Sequence, residues 1–378
     1  MKRSNRRRGM VGPLYLMIVM IAGCALPDQS EDEIFEVVGV ADGIWATVVR
    51  EGVSPSMYAA SLIVIRTDHV LVVDSRHDDA SANDLIETIA DLTDLPVKYL
   101  VNTHWHGDHV QGNARFREAF PDVQIVGAST TGRDMLTLGR QRLDEQIERA
   151  EGRIATATGW LESGTKDDGT PLTEEERASL LEQIEATRSY AEARRAIKLV
   201  PPTMSIDAQI NLDDAQPTVT VTRVGPAHTS GDLVVTVPDA GVMALGDLIE
   251  DGFPYLGDGS PAGWARALRR VSGIEAEILL GAHGPVLWNR EMLETQTRFA
   301  ESIVDAARTA ASSGVPLEEA RAGFDASEFQ AHFTRRVEGT AADREARYRE
   351  FVDGIFDQAY AEATTVVEEA VTDAEEGS

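Results

Sequence analysis

Apolar residues alternate with polar ones from residue 35 to 50, with a break at Gly43, and this predicts a β-hairpin. Two further apolar runs, residues 59–66 and 69–74, flank Thr67-Asp68 and predict a second hairpin. From residue 79 to 92 the period lengthens. Leu85, Ile86, Ile89 and Leu92 fall on one helical face. A short apolar strand over residues 97–103 and a helix over 113–120 come next. The order of strand, strand, helix, strand returns after Thr218. Strands are predicted at 219–224, 233–237 and 242–245, then a helix with Ser260 as N-cap and Pro261 at its first position, then a strand at 277–280.

Between these halves lies an insertion, residues 139–202. Leu143, Ile147, Ala150, Ile154, Ala157 and Leu161 recur at helical spacing, and a break follows at 166–171. Thr173-x-x-Glu176 opens a second helix as a capping box, with Leu180, Ile184, Thr187 and Ala191 on one face. The insertion reads as a helical hairpin. It is either a lid or wall over a cleft, or a plain structural or dimer-forming element. Residues 291–378 read as a helical extension. Its stripe of Tyr348, Phe351, Val352, Ile355, Phe356, Ala359 and Ala363 suits core packing or a homodimer seam. Residues 368–378 are acidic and read as an unstructured tail.

The 378 residues allow one large domain or two small ones, with a sizeable core. The start of the chain stands apart. Lys2, Arg3, Arg6, Arg7 and Arg8 precede a nearly all-apolar stretch, residues 10–23. This is the layout of a secretory signal, and the stretch is short for a membrane span. It ends in Ile21-Ala22-Gly23-Cys24, which resembles the lipobox of bacterial lipoproteins. That resemblance implies cleavage before Cys24, lipidation of its thiol, a polar tether over 24–33 and a place in the cell envelope facing the periplasm. Ala25 is similar to the outer-membrane-sorted type. Cys24 is the sole cysteine, so an internal disulfide and a thiolate metal site are both excluded. The net charge of −28 excludes nucleic acid as a partner and argues against direct binding to anionic lipid. Membrane attachment would rest on the lipid.

The candidate chemistry is concentrated in His104-Trp105-His106-Gly107-Asp108-His109, three imidazoles and a carboxylate within six residues. The cluster sits on a turn leaving a strand, where a rigid scaffold holds side chains toward a cleft. Neutral imidazole with carboxylate is the ligand set of zinc and related divalent ions. His228, Asp247 and His283 each follow an apolar run and sit near glycine. Asp74 follows the run that ends at Val73. With these motifs in this order, residues 35–290 resemble the metallo-β-lactamase-fold hydrolase superfamily.

The resemblance implies an α/β (α+β) fold, an αββα sandwich over residues 34–290 that carries the insertion. It also implies that His104, His106 and His228 hold one metal, that Asp108, His109 and His283 hold a second, and that Asp247 bridges them. Two zinc ions are the first choice, with iron or manganese as alternatives. The implied activity is hydrolysis of a small-molecule ester, thioester, lactone or amide-like bond by a metal-bridging hydroxide. Asp108 would be the catalytic carboxylate. Asp74 and Asp232 would support the ligand loops by hydrogen bonds. Zinc β-lactamases carry serine or cysteine where this chain has Asp247, which argues against a dedicated β-lactam hydrolase. An iron-dependent persulfide oxygenase shares the ligand pattern. A non-catalytic metal-binding protein is the third class, and the complete ligand set argues against it. Of the other histidines, His69 and His332 are expected in solvent and His77 near the cleft.

The lipobox reading has a direct test. Cys24→Ser should move the protein from the membrane fraction to a precursor or soluble form, followed by fractionation and gel mobility. A variant that fractionates and migrates like the wild type would overturn it.

Overall fold

Gly43 adopts φ +67°, a left-handed turn that a side chain resists, and it closes the first predicted hairpin, β1 (Phe35–Ala41) against β2 (Ile44–Val49). A computed structural model describes residues 34–50, 53 and 58–376. The expected signal sequence, Cys24 and the tether lie outside these residues. The second hairpin pairs β3 (Ser61–Ile65) with β4 (Val70–Val73). Then β5 (Val97–Val101), β6 (Gln124–Ala128) and β7 (Met204–Ile206) add in parallel, completing a seven-stranded sheet in chain order. Helices fill its crossovers: α1 (Asp79–Leu92), then α2 (Gly107–Val110) and α3 (Asn113–Ala119). Asp78 caps α1 by accepting from Ser81 N at 2.9 Å.

The crossover from β6 to β7 carries the insertion. It holds α4 (Ser129–Asp134), a π-helical turn over Met135–Gly139, α5 (Arg140–Ser163) and α6 (Glu174–Ala196). The helices α5 and α6 pack on each other, and the Thr173/Glu176 capping box is formed. The second sheet has five strands in the order β12-β11-β10-β9-β8. They are β8 (Gln209–Leu212), β9 (Val219–Arg223), β10 (Leu233–Val237), β11 (Val242–Gly246) and β12 (Ile278–Gly281). The parallel β11–β12 crossover carries α7 (Pro261–Ser272), capped by Ser260. The chain ends in α8 (Glu291–Ser312), α9 (Leu317–Ala322), α10 (Gln330–Phe333) and α11 (Ala341–Glu376).

Alternation along the strands sorts side chains into separate apolar layers. Leu62, Val64, Leu71 and Val73 meet Val219, Val221, Leu233 and Val235 between the sheets. Ile63, Val70 and Val72 point the other way, onto Leu85, Ile89 and Phe116 of the flanking helices. Val234, Met243 and Leu279 face Trp264, Phe299 and Phe356. The fold is therefore an αββα sandwich, the architecture expected from the sequence. Burial on both faces explains why its strands read as continuous apolar runs.

Some expectations change. Tyr348, Val352, Ile355, Phe356 and Ala359 are buried against the second sheet's helices, so most of that stripe is core. The α11 helix continues to Glu376, through most of the expected tail. Residues 368–376 contain no Gly or Pro to stop the helix. His69 is only 2% exposed. Its Nε2 lies 2.8 Å from Arg66 Nη1 and its Nδ1 2.7 Å from Asp68. His332 is half-buried, with Nε2 3.3 Å from Gln296. Among the described residues no helix is long and apolar enough to cross a membrane.

The end of β4 and the histidine turn meet closely. Ser75 N donates to His109 O at 2.9 Å and Gly112 N to Arg76 O at 3.1 Å. A Cβ on Gly112 would lie 1.9 Å from Ser75 O. Gly112→Ala should therefore destabilise the protein by about 3 kcal/mol or more, as overpacking does. Gly152, inside α5, has nothing within 4 Å of such a Cβ, and Gly152→Ala should stabilise by about 0.5–1 kcal/mol. Urea unfolding of the two variants checks both; equal midpoints would show that the turn yields.

Candidate metal centre

The ends of β4, β5, β9, β11 and β12 lead to Asp74, the 104–109 turn, His228, Asp247 and His283, respectively. Asp74 takes φ 63°, a backbone conformation that aspartate tolerates better than most residues. Its carboxylate accepts from Thr103 N and from Thr103 Oγ1, each at 2.8 Å. It also lies 2.8 Å from His109 Nδ1. A proton held on Nδ1 by Asp74 leaves the Nε2 lone pair of His109 facing inward.

The same arrangement recurs around the cluster. His228 Nδ1 lies 2.7 Å from Tyr255 O, and His106 Nε2 lies 2.9 Å from Asp258 Oδ2. His104 Nδ1 lies 3.1 Å from Thr103 Oγ1. Each of these rings thus has a protein partner on one nitrogen and turns the other toward the centre. There, His106 Nδ1 and His228 Nε2 are 2.9 Å apart. Asp232 holds the His228 loop, accepting from Ala227 N at 3.0 Å, Thr229 N at 3.0 Å and Thr229 Oγ1 at 2.8 Å.

The inward atoms form two groups. His104, His106, His228 and Asp247 make one, and Asp108, His109 and His283 the other, with donor atoms in each within 4.8 Å of one another. Asp247 lies between them. Its Oδ2 is 3.6 Å from His104, 3.4 Å from His228 and 3.3 Å from His283, and its Oδ1 is 3.3 Å from His109. Asp108 Oδ2 is 3.5 Å from His109 and 3.3 Å from His283. Nε2 of His104, Nε2 of His109 and Oδ1 of Asp247 are buried and make no hydrogen bond. Unpaired buried polar atoms are costly, so convergent ones fit a bound cation.

The electrostatics agree with that fit. Burial holds His104 well below the ordinary imidazole range and takes His228 down to about 3, which keeps both rings neutral, the form that binds metal. Burial also opposes charge on His109 and His283, yet Asp247 and the neighbouring carboxylates push both rings well above the ordinary range. The pocket draws positive charge, and among the described residues Asp108 and Asp247 form ion pairs only with histidines.

A family description, the metallo-beta-lactamase superfamily, matches residues 54–283. The chain belongs to this superfamily. Solved structures similar to it include the mono-zinc form of the metallo-beta-lactamase FIM-1 from Pseudomonas aeruginosa, at 20% identity and TM-score 0.49 over 72% of this chain and 98% of that one. A metallo-beta-lactamase from Hirschia baltica matches at 16% identity and TM-score 0.49, over 71% of this chain and 98% of that one. One from Pontibacter korlensis matches at 16% and TM-score 0.49, over 71% and 99%. In this superfamily member, α8 to α11 lie beyond the matched region.

A cavity of about 750 Å³ opens over the two groups. Its floor includes His106, Asp108, His228, Asp247 and His283, and its walls include Arg142 and Leu143 of α5 and Tyr190 and Arg194 of α6. Both helices of the insertion therefore wall the metal-binding clusters. His77 also lines the cavity, with Nε2 3.0 Å from Asp78. Sequence reading missed Asp258, Tyr255 and Arg142. Asp258 stood between Gly257 and Gly259 in a loop following a candidate ligand, which was a weak signal. Arg142 carried none.

Burial pushes the Asp232 carboxyl up to about 7, against its hydrogen bonds. At pH 8 the carboxylate is ionised, and its two oxygens accept from Ala227 N, Thr229 N and Thr229 Oγ1, donors that an amide cannot all satisfy. Asp232→Asn turns an amide NH₂ toward one of them and should cost about 1–3 kcal/mol in urea unfolding at pH 8. A stabilised variant would show that burial of the charge outweighs the donors.

Proposed function

We propose that this chain is a dinuclear zinc hydrolase acting on an ester, thioester, lactone or amide-like bond of a small molecule. The observation that carries the reading is the pair of adjacent donor groups with Asp247 between them, their buried inward atoms lacking hydrogen bonds, at the floor of a walled cavity. His104, His106 and His228 would hold one ion and Asp108, His109 and His283 the other, with Asp247 shared. Bound zinc would lower the pKa of an associated water to about 7 and polarise the scissile carbonyl.

The chain's own residues supply the rest. Asp74, Asp258 and the Tyr255 carbonyl fix the tautomers of His109, His106 and His228, so no reorganisation is needed as charge develops. Asp108 is part-exposed to the cavity and uses Oδ2 toward His109 and His283. Its Oδ1 would orient the attacking water and carry a proton to the leaving group. The insertion would limit which substrates enter and shield the reaction from bulk water. The basic start, the apolar stretch over residues 10–23 and Cys24 support placing this activity in the cell envelope, held by lipid and facing the periplasm.

The test pairs metal analysis of protein purified without added metal with a panel of lactone, thioester, ester, phosphodiester and β-lactam substrates. About two zinc ions per chain and turnover of an acyl substrate are expected. His106→Ala and Asp108→Ala should each reduce turnover by about a thousandfold or more while the unfolding midpoint stays near the wild type, since both residues lie on a turn. One iron per chain with oxygen consumption would replace this reading by the persulfide-oxygenase one. Full turnover by metal-free protein would end it.

A further inference from the structure

Arg142 joins the insertion to the histidine cluster. It lies in the first turn of α5, and its Nη2 donates to Asp258 Oδ2 at 2.5 Å and to the Tyr255 hydroxyl at 3.1 Å. The same Asp258 oxygen lies 2.9 Å from His106 Nε2. The guanidinium also sits over the ring of Trp105, 4.9 Å from its centroid. Trp105 is 2% exposed and immediately precedes His106. One carboxylate oxygen thus takes the charge of the insertion on one side and a ligand imidazole on the other. The opposite nitrogen of that imidazole, Nδ1, faces His228 Nε2 within the three-histidine group.

To offer Nδ1 to a cation, His106 must keep its proton on Nε2 and hold its ring plane. Asp258 does both, provided the carboxylate stays in place. Asp258 lies in a turn closed by Gly259 N donating to Leu256 O at 3.0 Å, which fixes its backbone and leaves the carboxylate to turn about its side-chain bonds. Arg142 supplies the restraint through a charge-assisted hydrogen bond, with its guanidinium flanked by Trp105 and Tyr255.

We propose that the insertion is a metal-retention element as well as a cavity wall, with Arg142 acting through Asp258 as a positioning residue for His106. This rests on the reading of His106 as a metal ligand. The coupling runs both ways: whatever displaces the start of α5 loosens the three-histidine group, and metal at that group holds α5 down.

The experiment measures zinc affinity by chelator competition and the visible spectrum of the cobalt-substituted protein, on the full chain. Asp258→Ala should weaken one of the two zinc sites by about 10- to 100-fold, the usual loss when such a partner is removed. Arg142→Met should weaken the same site by a smaller factor and alter the cobalt spectrum, and Arg142→Lys should restore part of the loss. Combining Arg142→Met with Asp258→Ala should add nothing to Asp258→Ala alone, because the first acts through the second. Arg140→Met is the control for general damage to α5, since among the described residues Arg140 pairs only with Asp144 on the same helix. Wild-type affinity in Arg142→Met and Asp258→Ala, with the site lost in His106→Ala, would overturn the inference and leave the hydrolase reading standing. Equal losses in Arg140→Met and Arg142→Met would also overturn it. An unchanged site in His106→Ala would instead remove the ligand assignment itself.

Discussion

Carboxylates buried among imidazoles are the constraint on which this structure depends. Asp74, Asp108 and Asp247 converge with His104, His109, His228 and His283 at one edge of a sandwich whose layers between sheets and helices are apolar. A buried charge costs several kcal/mol unless it is paired and hydrogen-bonded. The two sheets meet that cost by placing ligand-bearing turns at strand ends, where the rigid strands fix their separation. Each outer nitrogen partner removes one source of freedom, so the remaining inward atoms can be met by cations.

Much of this arrangement was legible in the sequence because it is local. The three histidines of the 104–109 turn lie within six residues, and His228, Asp247 and His283 each follow an apolar run. The span of α1 could be read from the helical period of Leu85, Ile86, Ile89 and Leu92, and the start of α6 from the Thr173/Glu176 capping box. Weak local signals hid β6, β7 and β8. The strands β7 and β8 are short edge strands, and β6 holds three apolar residues beside a glycine. His69 looked solvated because it follows a polar turn. It is buried because Arg66, which reaches across to Asp214 and the carbonyls near Pro217, encloses it. The link from Arg142 to Asp258 spans 116 residues and has no local pattern, so only tertiary structure could show it.

The loop after β11 gathers these distant contacts. Arg142 of the insertion holds Asp258 at one end. Arg335 and Arg336 of the C-terminal extension both pair with the buried Asp251 near the other. The segment between Asp247 and Ser260 is therefore pinned by two elements, one added inside the sandwich and one after it. Gln296 Nε2 also donates to Glu250 O at 2.7 Å, so α8 adds a third hold.

The grip of Arg335 and Arg336 on Asp251 has a consequence for the order of events in a growing polypeptide. The turn bearing three of the histidines emerges early, whereas the cations that neutralise Asp251 follow it by more than two hundred residues of chain. Asp251 and these arginines are 84 and 85 residues apart, so the pairing must wait until the chain has been made that far and the loop between them is closed. A nascent chain can assemble both sheets and the helices α1 to α7 while the Asp247 loop still lacks its charge partners. Competence to take up metal would then arrive near the end of synthesis, when the folded scaffold already fixes the spacing of the ligands, and shorter fragments would display the histidine cluster without the lock that shapes it.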